Sequence, residues 1–399
     1  MKMSNKNKLI SGLVGVAMCP MMLPTAAFAA DDGAASGVSS SPTELIQSSD
    51  QSEGADTGAS SADTLAAQSE STGEAANATT GKAVNEEAAS AAETGGEGTT
   101  AGVAEVNGKT YSSLQAAINA APRKATVKLL ADTKENVTIS TNYVTLDLNG
   151  HTLNGSTGER KPALTVTARV YVMDSSAAQT GTIMREDTAE NSGVSSHYVI
   201  DVQGGNSGWL YFQSGNVKND SGAGGTKGAS LVRVGDDSKS GVPGLTISGG
   251  TFTQDNFIVL KCDHGNLFVT GGEINSKNSY AVQNWKNTTI KIPKDGKSSP
   301  VINGNVSTWT YGGGGSDLEI QGGTVNGNVE SVTYDGVEGK PAKVSITGGV
   351  VNGTLNTVDY STGTTSNDPT KATIEVTGGT FSTDPSHYLI EGSAATQNS

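Results

Sequence analysis

The 399-residue sequence is poor in the features that most often reveal function. It has two cysteines, Cys19 and Cys262, which excludes a disulfide framework and a Cys-rich zinc site. Aromatic residues make up 5% and hydrophobic residues 34%. The four histidines (His151, His197, His264 and His387) lie far apart, with no HExxH pairing. Basic residues are outnumbered 26 to 40, a net charge of −14, which argues against a nucleic-acid surface. No GxSxG elbow or P-loop occurs. Beyond the N-terminus no apolar run approaches the roughly 18 residues of a membrane-spanning helix. Glycine is abundant instead, at 52 residues.

Charge divides the chain. Residues 1–30 carry Lys2, Lys6 and Lys8, then a mostly apolar run from Leu9 to Met22, then Pro24 and Ala26-Ala27-Phe28-Ala29-Ala30. A basic start, an apolar centre and a small-x-small end predict a secretory signal cleaved after Ala29. A membrane anchor is disfavoured by the short, Pro-ended run. A lipoprotein signal through Cys19 is disfavoured by the bulky Met18 before it. Residues 31–102 hold 13 acids against Lys82 alone and contain no aromatic residue. Too little apolar surface is available there to offset chain entropy, so this segment is expected to be a disordered spacer. As a flexible coil it would span about 45–50 Å, serving as a stalk or a solubilising tail.

Residues 103–399 repeat. Val103 to Asn107 is expected as a strand and Asn107-Gly108 as a turn. Leu114, Ala117, Ile118 and Ala121 follow at helical spacing, with Ser112 able to cap the start and Pro122 ending the run. One unit then recurs: Leu245-Thr-Ile247-Ser-Gly249-Gly250-Thr-Phe252. It returns at Leu267–Ile274, Leu318–Val325, Val344–Val351 and Ile374–Phe381, with looser copies at Leu210-Tyr-Phe212 and Thr289-Ile290-Lys-Ile292. The alignment places Phe212, Ile247, Val269, Ile292, Ile320, Ile346 and Val376 at one position. A second register agrees: Val306, Val329 and Leu355 precede Trp309, Val332 and Val358 by three residues and Tyr311, Tyr334 and Tyr360 by five.

Units of this size mean a repeat architecture. Four-stranded blades need more residues, and a sandwich does not demand one register from unit to unit. The expected fold is all-β: a right-handed parallel β-helix of about ten coils, a rod near 50 Å long at strand spacing, with the short helix capping its N-terminal end. Gly-Gly turns the corners, where positive φ costs glycine little. Asn303, Asn326 and Asn352 are expected to form an Asn ladder, and the three tyrosines a structural stack. Cys262, on one face with Ile258 and Leu260, is expected in the core. Lys286 to Lys297 reads as a solvated turn.

Val103-Ala-Glu-Val-Asn107-Gly108-Lys-Thr-Tyr111-Ser-Ser-Leu114-Gln-Ala-Ala-Ile118, followed by Ala125-Thr-Val127-Lys-Leu129-Leu130, resembles the entry to right-handed β-helix surface proteins of host-associated Gram-positive bacteria. Asn136-Val-Thr-Ile139 and Val144–Leu153 are similar to first coils of the pectate-lyase-like superfamily, and the Gly-Gly-Thr-Phe repeats through Pro385 extend the likeness over nearly all of 103–399. The resemblance implies a secreted, cell-surface protein acting in adhesion, ligand binding or as a structural module, without a cofactor. Glycans or host and cell-wall ligands are the partners it implies. A monomer is expected. The sequence ends without an LPxTG sorting signal, which leaves the mode of anchoring open.

Enzymes of that fold cleave acidic polysaccharides, the alternative reading. Hydrolases use paired carboxylates. Lyases use Ca²⁺ with an Arg or Lys base. Asn219-Asp220, Asp236-Asp237 and Asp263-His264-Gly265 are similar, in order, to polygalacturonase-type boxes, which makes Asp220, Asp236, Asp237, Asp263 and His264 catalytic candidates. The first box lacks its middle residue, no Arg-x-Lys box follows, and Asp or Asn beside Gly or Ser is ordinary turn chemistry. Arg233 is the one arginine of the Gly-Gly repeat region, so a lyase base is scarce there. The middle residue of each repeated strand points outward; it is Tyr211, Thr246, Phe268, Lys291, Glu319, Ser345 and Glu375 in the aligned copies. Trp209, Tyr211 and Phe268 are therefore expected on one outer sheet, either as a sugar-stacking surface or covered by a loop such as Asn219 to Lys227.

Overall fold

The computed structural model describes residues 102–159, 161–186, 198–204, 208–219, 229–235, 241–255, 257–285, 287–290, 299–310, 314–334, 339–360, 362–366 and 368–398, and a strand Ser11–Gly15 parallel to Ala394–Asn398. The expectations for residues 31–101, for Asp220, Asp236 and Asp237, for the loop 220–227, for Tyr311, and for most of Lys286 to Lys297 lie outside the described residues.

The protein is mostly β, and its strands pair almost entirely in parallel within one large sheet. They form three columns that the chain visits in a fixed order. Column A begins with Thr126–Leu129, Val144–Asp147, Arg169–Met173, Trp209–Phe212 and Gly244–Ile247. It continues through Asn266–Val269, Asn287–Ile290 and Ser316–Ile320 to the starts of Ala342–Val351 and Ala372–Phe381. Column B runs from Thr133–Lys134 through Thr152–Asn154, Thr182–Arg185, Asn216–Asn219 and Thr251–Gln254 to Thr324–Asn326. Column C runs from Val137–Ile139 through Leu164–Val166, Ile200–Val202, Val232–Val234 and Leu260–Cys262 to Val329–Thr333 and Leu355–Asp359. The long strands Glu273–Asn284 and Val301–Trp309 each carry the chain through columns B and C, and their pairing shifts register between Asn275 and Tyr280 and again between Tyr280 and Val282.

Alternation decides the core. Phe212, Ile247, Val269, Ile290, Ile320, Ile346 and Val376 stand in register on successive column A strands, each buried. The row matches the sequence alignment with one correction: Ile290, not Ile292, occupies the fourth position. That copy lacks the Gly-Gly marker, and period-two alternation cannot distinguish a slip of two residues, because the face is unchanged. The inward aliphatics of all three columns join one buried cluster, which includes Cys262 beside Leu260; Ile258 packs instead in a second cluster outside column C.

Corners are built in two ways. In the later turns Gly-Gly joins column A to column B. Gly250 has φ +86°, and a Cβ there would lie 2.6 Å from the Gly215 carbonyl oxygen of the preceding turn. In the early turns carboxylates do the work. Asp147 accepts from the Ser175 N–H at 2.9 Å and hydroxyl at 2.7 Å, one turn on. Asp174 accepts from the amides of Gly150 (2.8 Å), Ser176 (3.0 Å) and Gly181 (2.6 Å). Burial would raise the Asp174 carboxyl, but the Ser176, Gly181 and Gly150 donors outweigh it and hold it below its ordinary range. Between columns B and C the expected Asn ladder is present and one rung longer. Asn352 donates to Asn326 (2.8 Å), Asn326 to Asn303 (2.7 Å), and Asn303 to Asn275 (2.7 Å).

The first turn is met by a hairpin and a helix. Ala104–Val106 pairs antiparallel with both Lys109–Tyr111 and Thr126–Leu129, with Asn107 and Gly108 at positive φ in the turn. The helix Leu114–Ala120 is capped by Ser113, not Ser112: its hydroxyl accepts from the Ala116 amide. Glu135 takes the Leu114 and Gln115 amides at 2.7 and 3.0 Å. The Gln115 carboxamide accepts from the Thr138 N–H (2.8 Å) and donates to its carbonyl (3.1 Å), so the edge of the first column C strand is hydrogen-bonded by a side chain. At the other end Tyr388 and Leu389 pack against the core, and the Tyr388 hydroxyl donates to the Leu355 carbonyl.

Candidate functional site

Outward residues of column A in turns three to six form a row of rings. Tyr171, Tyr211, Trp209 and Phe268 are all partly exposed. Tyr171 and Tyr211 stack at 4.8 Å between centroids, Tyr211 and Trp209 at 6.0 Å, and Trp209 and Phe268 at 6.0 Å. The register explains the row. Tyr171 lies beside Tyr211, and Tyr211, Thr246 and Phe268 follow on consecutive strands. Trp209 crosses the gap between Tyr211 and Phe268 because its neighbour in register is Gly244, where a Cβ would lie 2.5 Å from the indole. The indole N–H donates to the Thr246 hydroxyl at 3.0 Å, which fixes the ring. Burial and the adjacent Tyr171 hold the Tyr211 hydroxyl above its ordinary value, and the Arg169 charge pulls the other way.

Trp209, Tyr211 and Phe268 are thus brought together, as expected. Tyr171 was missed. Its strand, Arg-Val-Tyr-Val-Met, has the same alternation one turn earlier but lacks the Gly-Gly that marks the later copies. Of the catalytic candidates, Asp220, Asp236 and Asp237 lie outside the described residues, and Asp263 and His264 are described. Asp263 pairs with Lys261 at 3.1 Å, and the His264 imidazole Nε2 lies 3.1 Å from the Gly241 carbonyl. No group of three or more His, Cys, Asp or Glu side chains able to hold a metal ion occurs among the described residues.

The outer face of column C was not anticipated as a buried surface. Its central row reads Asp201, Arg233, Lys261, Gln283, Ser307, Glu330 and Asn356 in register. Arg233 binds Asp201 through both Nε and Nη2 at 3.1 Å and lies 4.6 Å from the Tyr198 ring centre. Lys261, 2% exposed, pairs with Asp263 and sits 5.4 Å from the Trp285 ring. Gln283 is fully buried, and neither its amide nitrogen nor its carbonyl oxygen has a partner among the described residues. Phe257, Tyr280, Trp285, Trp309 and Val332 pack beside this row, with Tyr334 and Tyr360 at its end, 4.7 Å apart edge to face. The tyrosine pair is therefore packing, as expected. The Tyr280 hydroxyl donates to Glu330 at 2.9 Å; burial raises the Glu330 carboxyl, and burial with that carboxylate raises the Tyr280 hydroxyl well above its ordinary value.

The chain matches no family model, no curated protein and no solved structure.

Proposed function

We propose that this protein is an exported right-handed parallel β-helix, closed at its N-terminal end by the short helix and displayed at a bacterial surface as a glycan-binding module. The ring row Tyr171, Tyr211, Trp209 and Phe268 carries the proposal. Aromatic side chains aligned and left partly exposed on a sheet face are unusual unless they are used. Their faces stack on the apolar faces of sugar rings, and the row crosses three strand spacings, about 14 Å, the reach of a short oligosaccharide. The recurring three-column order supports the β-helix, and the Gln115 pairing with Thr138 supports the helix as its cap. The basic, apolar and small-residue run of 1–30 supports export, and the acidic 31–102 segment supports a stalk. Affinity per site is expected to be weak, roughly millimolar, and raised by multivalent display. The reading requires no cofactor and no partner subunit.

A glycan array probed with the full-length protein tests this, run beside a screen for polysaccharide degradation. Binding that disappears in W209A/F268A, with the fold retained, supports the module. Release of new chain ends from an acidic polysaccharide would instead favour the enzyme.

A further inference from the structure

Charge is unevenly placed around the ring row. Residues 103–399 carry a net charge of −5, yet the outer face of column A is basic at one end of the row. Arg169 is exposed, two residues before Tyr171 on the same face and in register beside Trp209. Its guanidinium Nη1 reaches the Tyr143 hydroxyl at 3.4 Å, and the guanidinium of exposed Arg123 lies 4.7 Å from the centre of the same Tyr143 ring. One phenol therefore gathers both cations, and they hold its hydroxyl below its ordinary value, Arg169 most of all. Among the described residues neither guanidinium has a carboxylate partner. The contrast with the other described arginines is direct. Arg185 is buried on the carbonyls of Lys161 and Glu159, and Arg233 is paired with Asp201. Past Phe268, Asp317 and Glu319 are exposed on the second strand beyond, and Lys343 stands beside Asp317 on the next strand, paired with Glu375.

We infer that the glycan bound by this face is a neutral oligosaccharide ending in one acidic sugar, its anionic group seated between Arg169 and Arg123 and its neutral rings running over Tyr171, Tyr211 and Trp209 toward Phe268. The inference rests on the glycan-binding reading above and specifies its ligand. Unpaired guanidiniums at one end alone select a single terminal charge, because Arg offers several N–H donors in a plane that matches a carboxylate. A uniformly acidic polymer would lay its further charges against Asp317 and Glu319, where like charges repel.

Three probes separate the possibilities: a neutral galactose-terminated tetrasaccharide, the same chain bearing one terminal sialic acid, and polygalacturonate. Each is titrated by calorimetry against the wild-type protein, R123Q/R169Q and W209A. The sialylated probe is expected to bind wild type about tenfold more tightly than the neutral one, with an advantage that shrinks as salt is raised. R123Q/R169Q should lose that advantage and keep neutral binding, while its melting temperature stays near wild type because both side chains are exposed. W209A should lose both. Equal binding of neutral and sialylated probes, an advantage that survives in R123Q/R169Q, or tightest binding of polygalacturonate would each overturn the inference while leaving the ring row as a glycan site. Failure of every probe to bind wild type, or full binding by W209A, would overturn the glycan-binding reading and this inference with it.

Discussion

The outer faces of columns A and C start from the same sequence pattern and end in opposite environments. On both, inward aliphatics alternate with outward residues. On column A the outward Tyr171, Tyr211 and Phe268 stay partly open, with Tyr171 stacked on Tyr211 and Phe268 on Trp209. On column C the outward Asp201, Arg233 and Lys261 are buried and so must be paired, by Asp201 with Arg233 and by Lys261 with Asp263. Alternation therefore tells which residues leave the core, but not whether they reach water. The open face is the one proposed to meet a ligand; on the covered face the ion pairs join successive turns or fix one strand end.

The comparison can be broken most severely where both faces depend on the shared core. Ile320→Asp places a charge between Ile290 and Ile346 and is expected to cost about 4 kcal/mol or more, read by denaturant unfolding. A stability within error of wild type would mean the register is wrong. On column C, Arg233→Leu strands the buried Asp201 carboxylate and should cost about 3–5 kcal/mol, whereas the paired change D201L/R233L should cost much less. Equal losses would show that the ion pair does not matter as a pair. Gln283→Leu removes two buried polar atoms that have no partner among the described residues and should gain about 1 kcal/mol. A loss of that size would show that the amide has partners in solution. On column A, Trp209→Ala should cost only about 1 kcal/mol, from lost ring contacts. A cost as large as that of Arg233→Leu would place Trp209 in the same buried class and erase the difference between the faces.

The smallest effect is in pH dependence. Glu330 is raised by burial, so the folded protein holds this proton more tightly than the unfolded chain does. Its contribution is full below the unfolded carboxylate pKa and is lost as pH rises through the folded value. Stability measured across that window should therefore fall with rising pH by more in wild type than in Glu330→Gln. Identical slopes would show that Glu330 is solvated in solution.

Much of this was legible in the sequence, and the gaps have physical causes. The five Gly-Gly repeats were readable because only glycine satisfies both the positive φ and the close approach to the previous turn at those corners. The Asn ladder was readable because Asn303, Asn326 and Asn352 recur at a fixed offset from the Val rows. The slip at Ile290 arose where the glycine marker is missing. The early corners escaped notice because Asp147 and Asp174 perform with hydrogen bonds what Gly-Gly performs with backbone freedom, and a lone Asp does not advertise its partners some 28 or 24 residues away. The column C row was present at one register as Asp201, Arg233, Lys261 and Gln283, but charged residues at outward positions read as solvated until their burial is known. The basic end of the ring row depends on Tyr143, which stands in a turn outside any repeat.

The account turns on whether the open ring row is where glycan binds. Calorimetric titration of full-length wild type and W209A/F268A with the tightest glycan found on the array measures this directly, with thermal unfolding of both proteins alongside. The account predicts that the double variant loses detectable binding while its unfolding transition stays cooperative and close to wild type. Unchanged affinity in a folded double variant would contradict it.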